Sequence, residues 1–140
     1  KKRISNRLSI LSVLGEINKK DFTFSKAERL TNKIIIKELF SKGSSFYIYP
    51  FRVKFLETSR FQGSQVLFAI PVRNIKSAVR RNSIRRKLRE VYRCNKYPLL
   101  SKLRKEQKGL AIAFIYVEKE EIPFKELENK LILTLERLLG

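Results

Sequence analysis

LAIAFIYV, residues 110–117, is apolar at every position. A strand with one wet face alternates polar and apolar residues, so a strand with no polar face must be covered on both sides. This run therefore predicts a buried central strand with helices layered on a small sheet. Downstream, Pro123 suits the first turn of a helix over 124–138, where Phe124, Leu127, Leu131, Leu135 and Leu138 make one apolar stripe. Upstream, residues 95–108 are polar and charged around Leu99, Leu100 and Leu103, which predicts loop with a helical turn. A helix is expected over 78–93. Before it, the apolar run 66–72 and the alternating stretch Phe51, Val53, Phe55 with Arg52 and Lys54 read as an antiparallel hairpin joined by the Gly-containing link 60–64. Thr31 or Asn32 caps an earlier helix carrying Ile35, Leu39 and Ile36, Phe40 at i, i+4, and Gly43 ends it as a C′ glycine. The expected order is αββαβα, an α+β fold of the α/β-sandwich kind. Residues 1–22 are expected to form a flexible basic extension and 23–140 a single domain, without internal repeats.

Lys and Arg total 32 against 13 Asp and Glu, a net charge of +19. Such a surface repels itself and calls for a polyanion, either nucleic acid or an anionic membrane. Residues 110–117 are too short to cross a bilayer. Ser5, Asn6 and Arg7 interrupt residues 4–14, a poor secretory signal. Cys94 is the only cysteine, which excludes an internal disulfide and a cysteine-cluster zinc site, and it is expected to be a small buried hydrophobe rather than a reactive thiol. There is no histidine, and histidine is the commonest general acid–base group. The one acidic cluster, Glu118, Glu120 and Glu121, lies beside a turn, and no carboxylates share a spacing that would hold two metals for phosphodiester hydrolysis. The expectation is a cytoplasmic nucleic-acid binder whose partner is not a membrane.

Residues 75–93, IKSAVRRNSIRRKLREVYR, are the most informative about that partner. Seven of the sixteen residues from Ala78 are basic and only Glu90 is acidic. At about 100° per residue, Ile84, Leu88 and Val91 share one face, while Arg81, Arg85 and Arg89 form an adjoining row with Asn82, Arg86 and Arg93 beside it. Arginines at i, i+4 repel by a few tenths of a kcal/mol per pair. Arg80 and Arg81 sit where the helix dipole disfavours cations. Phosphate contacts would relieve both penalties, and the guanidinium fork matches phosphate oxygens. A solvated basic face without a partner is the plainer alternative.

Ala78-Val79, Arg81-Asn82, Arg85-Arg86 and Arg89-Glu90 resemble the RNR signature of the bacterial ribonuclease P protein component. Ser83 stands where that family usually has its second Arg, and Arg85 stands for its usual Lys. Residues 24–43, FSKAERLTNKIIIKELFSKG, are similar to the family's opening segment, with Ile36 replacing a frequent aromatic. The resemblance runs over about residues 22–139. It implies a ribosomal-protein-like fold with a left-handed βαβ crossover, although right-handed crossovers prevail in about 98% of cases. It further implies that Arg73, Arg80, Arg81, Asn82, Arg85, Arg86, Arg89 and Arg93 bind a catalytic RNA, and that Phe40, Arg52, Lys54 and Arg29 line a cleft for the single-stranded 5′ leader of precursor tRNA. The RNA subunit would perform the hydrolysis. No catalytic residue or cofactor is assigned to the chain, and Mg2+ is expected through the RNA.

The cleft has support in the residues themselves. Phe40, Phe46, Tyr47, Tyr49, Phe51 and Phe55 are interleaved with Lys42, Arg52 and Lys54. Aromatics with cations between them suit single strands, with bases stacking at about 1–3 kcal/mol each. Arg52 and Lys54 face away from Phe51 and Phe55, so both sets cannot line one surface; core filling is at least as good an account of Phe51 and Phe55, and Phe40 is open between the two. The rivals are a ribosomal-type structural RNA binder, a DNA binder, which lacks a helix-turn-helix partner for the basic helix, and a self-sufficient nuclease, which lacks the acid–base groups.

Overall fold

The computed structural model describes residues 24–140; the expected extension over 1–22 lies outside them. A short 3-10 turn (Lys26–Glu28) leads into α1 (Lys33–Lys42), then β1 (Ser44–Ile48), β2 (Phe51–Thr58), β3 (Gly63–Ala69), α2 (Ala78–Asn95), α3 (Tyr97–Glu106), β4 (Gly109–Tyr116) and α4 (Phe124–Leu138). The four strands form one mixed sheet in the order β1-β2-β4-β3. The apolar run at 110–117 takes the central place its composition demands: β4 pairs antiparallel with β2 and parallel with β3.

Its two faces differ in side-chain size. Ile112, Phe114 and Tyr116 join Phe51, Val53, Val66 and Phe68 under Ile84 and Leu88 of α2, Leu99 and Leu103 of α3, and Leu127 and Leu131 of α4. Ala111 and Ala113 face the other way and meet Leu30, Ile35 and Leu39. The small alanines let α1 lie close to the sheet. The result is a sandwich with three helices on one face and α1 on the other.

Several sequence expectations need correction. β2 and β3 are not a hairpin, because β4 lies between them. Two outer strands with one polar side cannot shield a strand that is apolar on both faces unless it sits inside them. The hairpin is β1–β2, with Phe46 opposite Val53 and Tyr47 opposite Arg52, turning through the cis peptide Tyr49-Pro50. The stretch around Leu99 is a full ten-residue helix whose Leu99, Leu100 and Leu103 are buried; Pro98 suits its first turn, and Gln107 ends it at φ 53. Gly43 closes α1 at φ −71, so it is not a left-handed cap. Its glycine is needed for space, since a Cβ there would fall 2.4 Å from the Leu39 carbonyl oxygen. Asn32, rather than Thr31, is the cap of α1, its Oδ1 accepting from the backbone N–H of Ile34 at 2.9 Å and Ile35 at 3.1 Å. Phe124 is exposed and does not complete the α4 stripe. Cys94 is half-buried rather than buried, with its thiol 3.6 Å from a Glu90 carboxylate oxygen.

One buried ion pair ties distant parts of the chain. Lys96, at the α2–α3 junction, is fully buried and bonds to Glu28 in the 3-10 turn. The next residues, Arg29 and Leu30, run beside β3, where Arg29 bridges Val66 and the Leu30 N–H donates to the Val66 carbonyl.

Candidate nucleic-acid interface

Helix α2 starts at Ser77, whose Oγ accepts from the Arg80 N–H at 3.2 Å. Ile84, Leu88, Val91 and Tyr92 bury its apolar stripe, and the basic residues divide over the rest of the surface. Arg86 and Asn82 are exposed, as is Arg73 in the preceding loop. Arg93 pairs with Glu90 one turn back.

The row Arg81, Arg85, Arg89 is not an open wall. All three are half-buried, and Arg85 and Arg89 lie along the flank that meets β3. Arg81 Nη1 donates to the carbonyls of Ile75 at 3.0 Å and Lys76 at 2.9 Å, so it fastens the loop before the helix. Arg85 donates to Asn82 Oδ1 at 2.8 Å. Arg89 has a buried Nε with no hydrogen-bond partner among the described residues. Burial, followed by the like charges of Arg29 and Arg85, pushes the Arg89 guanidinium below its ordinary pKa. Sequence spacing gave the row but not its burial, because nothing local says how β3 approaches the helix.

The third side of α2 faces Glu121. Lys87 Nζ lies 2.9 Å and Arg80 Nε 3.7 Å from that carboxylate. The Lys87 hydrogen bond, with smaller contributions from Arg80 and the Ser83 hydroxyl, holds Glu121 below the usual carboxylate range against the opposing effect of burial. The position where the resembled family carries Arg is therefore a small polar residue beside an acid.

The proposed cleft residues separate. Phe40, in the last turn of α1, is 41% exposed, and Lys54 Nζ stands 5.7 Å from its ring centroid. Arg52 lies on the same strand face as Lys54, opposite Tyr47, which is 52% exposed. Phe40, Arg52 and Lys54 thus share the α1 side of the sheet with Tyr47, a residue the sequence reading named among the aromatics but did not select. Alternation along β1 is the signal that would have found it. Phe51 is in the core, and Phe55 packs at its margin with Phe46, ring centroids 5.7 Å apart. Arg29 does not join this surface. It sits at the opposite edge of the sheet, its Cζ 5.6 Å from the Phe24 ring centroid, and lines one groove with Arg85 and Arg89. Among the described residues, no three His, Cys, Asp or Glu side chains group as metal ligands, and no helix is long and apolar enough to cross a membrane.

Fold and charge together define a class: a small α/β sandwich that carries one arginine-dense helix beside an aromatic and cationic sheet face. The chain belongs to the ribonuclease P protein family, whose model, Ribonuclease P, matches residues 24–139. It is 34% and 35% identical over 121 residues to the ribonuclease P protein components of two Porphyromonas gingivalis strains, covering 85% of this chain and 88% of each relative. The solved RNase P protein from Thermotoga maritima superposes with a TM-score of 0.61 at 26% identity, over 81% of this chain and 99% of that one. The Staphylococcus aureus RNase P protein has the same fold, with a TM-score of 0.59 at 18% identity over 82% of this chain and 100% of its own.

Proposed function

We propose that the chain acts in the cytoplasm as the protein subunit of a ribonuclease P ribonucleoprotein, binding a catalytic RNA through α2 and the 5′ leader of precursor tRNA through the face shared by α1 and β2. The observation that carries the leader assignment is the exposed Phe40 ring with Lys54 over it and Arg52 nearby, an aromatic platform flanked by backbone-tracking cations. The RNA subunit performs the phosphodiester hydrolysis, with Mg2+ held through that RNA. The protein neutralises repulsion between two polyanions, so its contribution is largest at low magnesium.

The test is precursor-tRNA cleavage by a bacterial ribonuclease P RNA at low magnesium, with and without the protein. Cleavage should be restored by the protein and absent with the protein alone, whatever divalent metal is supplied. Robust metal-dependent cleavage by RNA-free protein would move the chemistry into this chain and overturn the reading.

A further inference from the structure

On the third side of α2, Arg80, Ser83 and Lys87 stand at i, i+3 and i+7 and so share one helical face. Two cations and a hydroxyl gathered on one face suit a phosphate group. Here the chain supplies its own anion. Glu121 Oε2 lies 2.9 Å from Lys87 Nζ and its Oε1 3.7 Å from Arg80 Nε. The Ser83 hydroxyl adds a hydrogen bond to the same carboxylate. The acid is held in place through both of its neighbours: the Tyr116 hydroxyl donates to the Glu120 carbonyl, and Ile122 is buried in the core. Glu118, in the same loop, bears on Tyr49 instead. The two cations remain within reach of a ligand, since the Arg80 and Lys87 side chains keep 50% and 34% of their exposure.

We propose that Glu121 is a specificity-determining residue: its carboxylate fills the place where Arg80, Ser83 and Lys87 would hold an RNA phosphate, and so confines the RNA to the other sides of α2. A phosphate arriving on this side would have to displace an anion that is already hydrogen-bonded. While the carboxylate stays, it repels the backbone of the incoming strand. Arg80 and Lys87 therefore contribute to the net charge of +19 without each adding a contact that releases a counterion. A helix ringed by bare cations could meet a polyanion at any rotation about its axis. A helix closed on one side by its own acid meets it at fewer. That the polyanion is RNA rests on the function proposed above, whereas the occupied flank does not.

The test is filter binding of the full chain to a bacterial ribonuclease P RNA transcript over a salt series. Glu121→Gln should bind roughly three- to tenfold more tightly and steepen the log–log salt slope by about one for each cation freed. Glu118→Gln, which changes the net charge equally, should do neither. Lys87→Ala should barely change affinity in the wild-type background but should remove much of the gain in the Glu121→Gln background. A damaged fold lowers affinity, so a gain cannot come from damage. If Glu121→Gln fails to fold, Lys87→Ala still decides, because a several-fold loss with Glu121 in place would mean that the cation already reaches the RNA. That loss, or equal gains in the two glutamine variants, would overturn the proposal. Salt-dependent wild-type binding with no gain in Glu121→Gln removes only this proposal; the gain without stimulation of cleavage removes only the function above.

Discussion

On one face of the sheet Phe51, Val53, Phe114 and Tyr116 lie fully buried under three helices; on the other, Ala111 and Ala113 lie under α1 alone, and Arg52 and Tyr47 stay exposed. The same strands build both, residue by alternate residue. Large side chains need a thick cover and make the fold. Small ones need only one helix, and the area that helix leaves open can carry cations and rings. The difference teaches that the packed core and the open cationic face are separated by strand alternation rather than by domain or by distance.

Five substitutions bear on that division. The largest effect should come from the sealed face. Phe114→Ala removes a ring stacked on Phe68, with centroids 5.2 Å apart, and should cost about 3–5 kcal/mol. Thermal unfolding should show a fall of roughly 10 °C or more, and a fall of a degree or two would mean that the two faces do not differ as described.

Phe40→Ala tests the open face. It should leave the melting temperature nearly unchanged and weaken precursor-tRNA binding roughly tenfold by losing one stacked base, with mature tRNA unaffected. Equal losses for both tRNAs together with a large drop in stability would return Phe40 to the core.

Within α2 the same distinction recurs on a smaller scale. Repulsion along the row predicts that removing any of its arginines would stabilise the isolated protein slightly. Arg81 departs from this because of its two carbonyl bonds. Arg81→Ala should lower stability by about 1 kcal/mol, whereas Arg89→Ala should leave the melting temperature equal or higher in phosphate-free buffer. Calorimetry of both variants in chloride decides, and equal falls would make the row uniformly structural.

The smallest effect concerns acidity. Glu121 has its folded pKa depressed, chiefly by the Lys87 hydrogen bond. Its stabilisation is therefore present above the ordinary carboxylate pKa and is lost as pH falls through the lower folded value. Wild type should melt above Glu121→Gln at neutral pH by an amount worth about 1 kcal/mol or less, and the two curves should converge below about pH 4. A gap that persists in acid would show that Glu121 acts by packing.

Much of the fold was legible because its signals are local. The run at 110–117, the stripe of α4 and a cap at Thr31 or Asn32 each announce themselves within a few residues. β1 does not, because SSFYI is short and mostly exposed and gains its pairing only from β2. Strand order was likewise hidden, since parallel pairing of β3 with β4 joins residues more than forty positions apart. For the site, residue type and helical period gave the arginine row and the Phe40 surface. They could not show that Arg81 is spoken for by backbone carbonyls, which depends on how the loop before α2 folds back on it, or that Arg29 leaves the Phe40 surface for the opposite sheet edge, which depends on the strand order.

The buried pair of Lys96 and Glu28 bears on how the chain tolerates change. Glu28 sits one residue before Arg29, in a turn that has no fully buried side chain of its own. Peeling residues 24–30 away would strip a fully buried ammonium of that carboxylate, and breaking such a pair typically costs about 3–5 kcal/mol. A segment that looks like a dispensable leader is thus bolted to the hinge between two helices, and a drift of residues at 28 or 96 has to be matched at the other, 68 positions away.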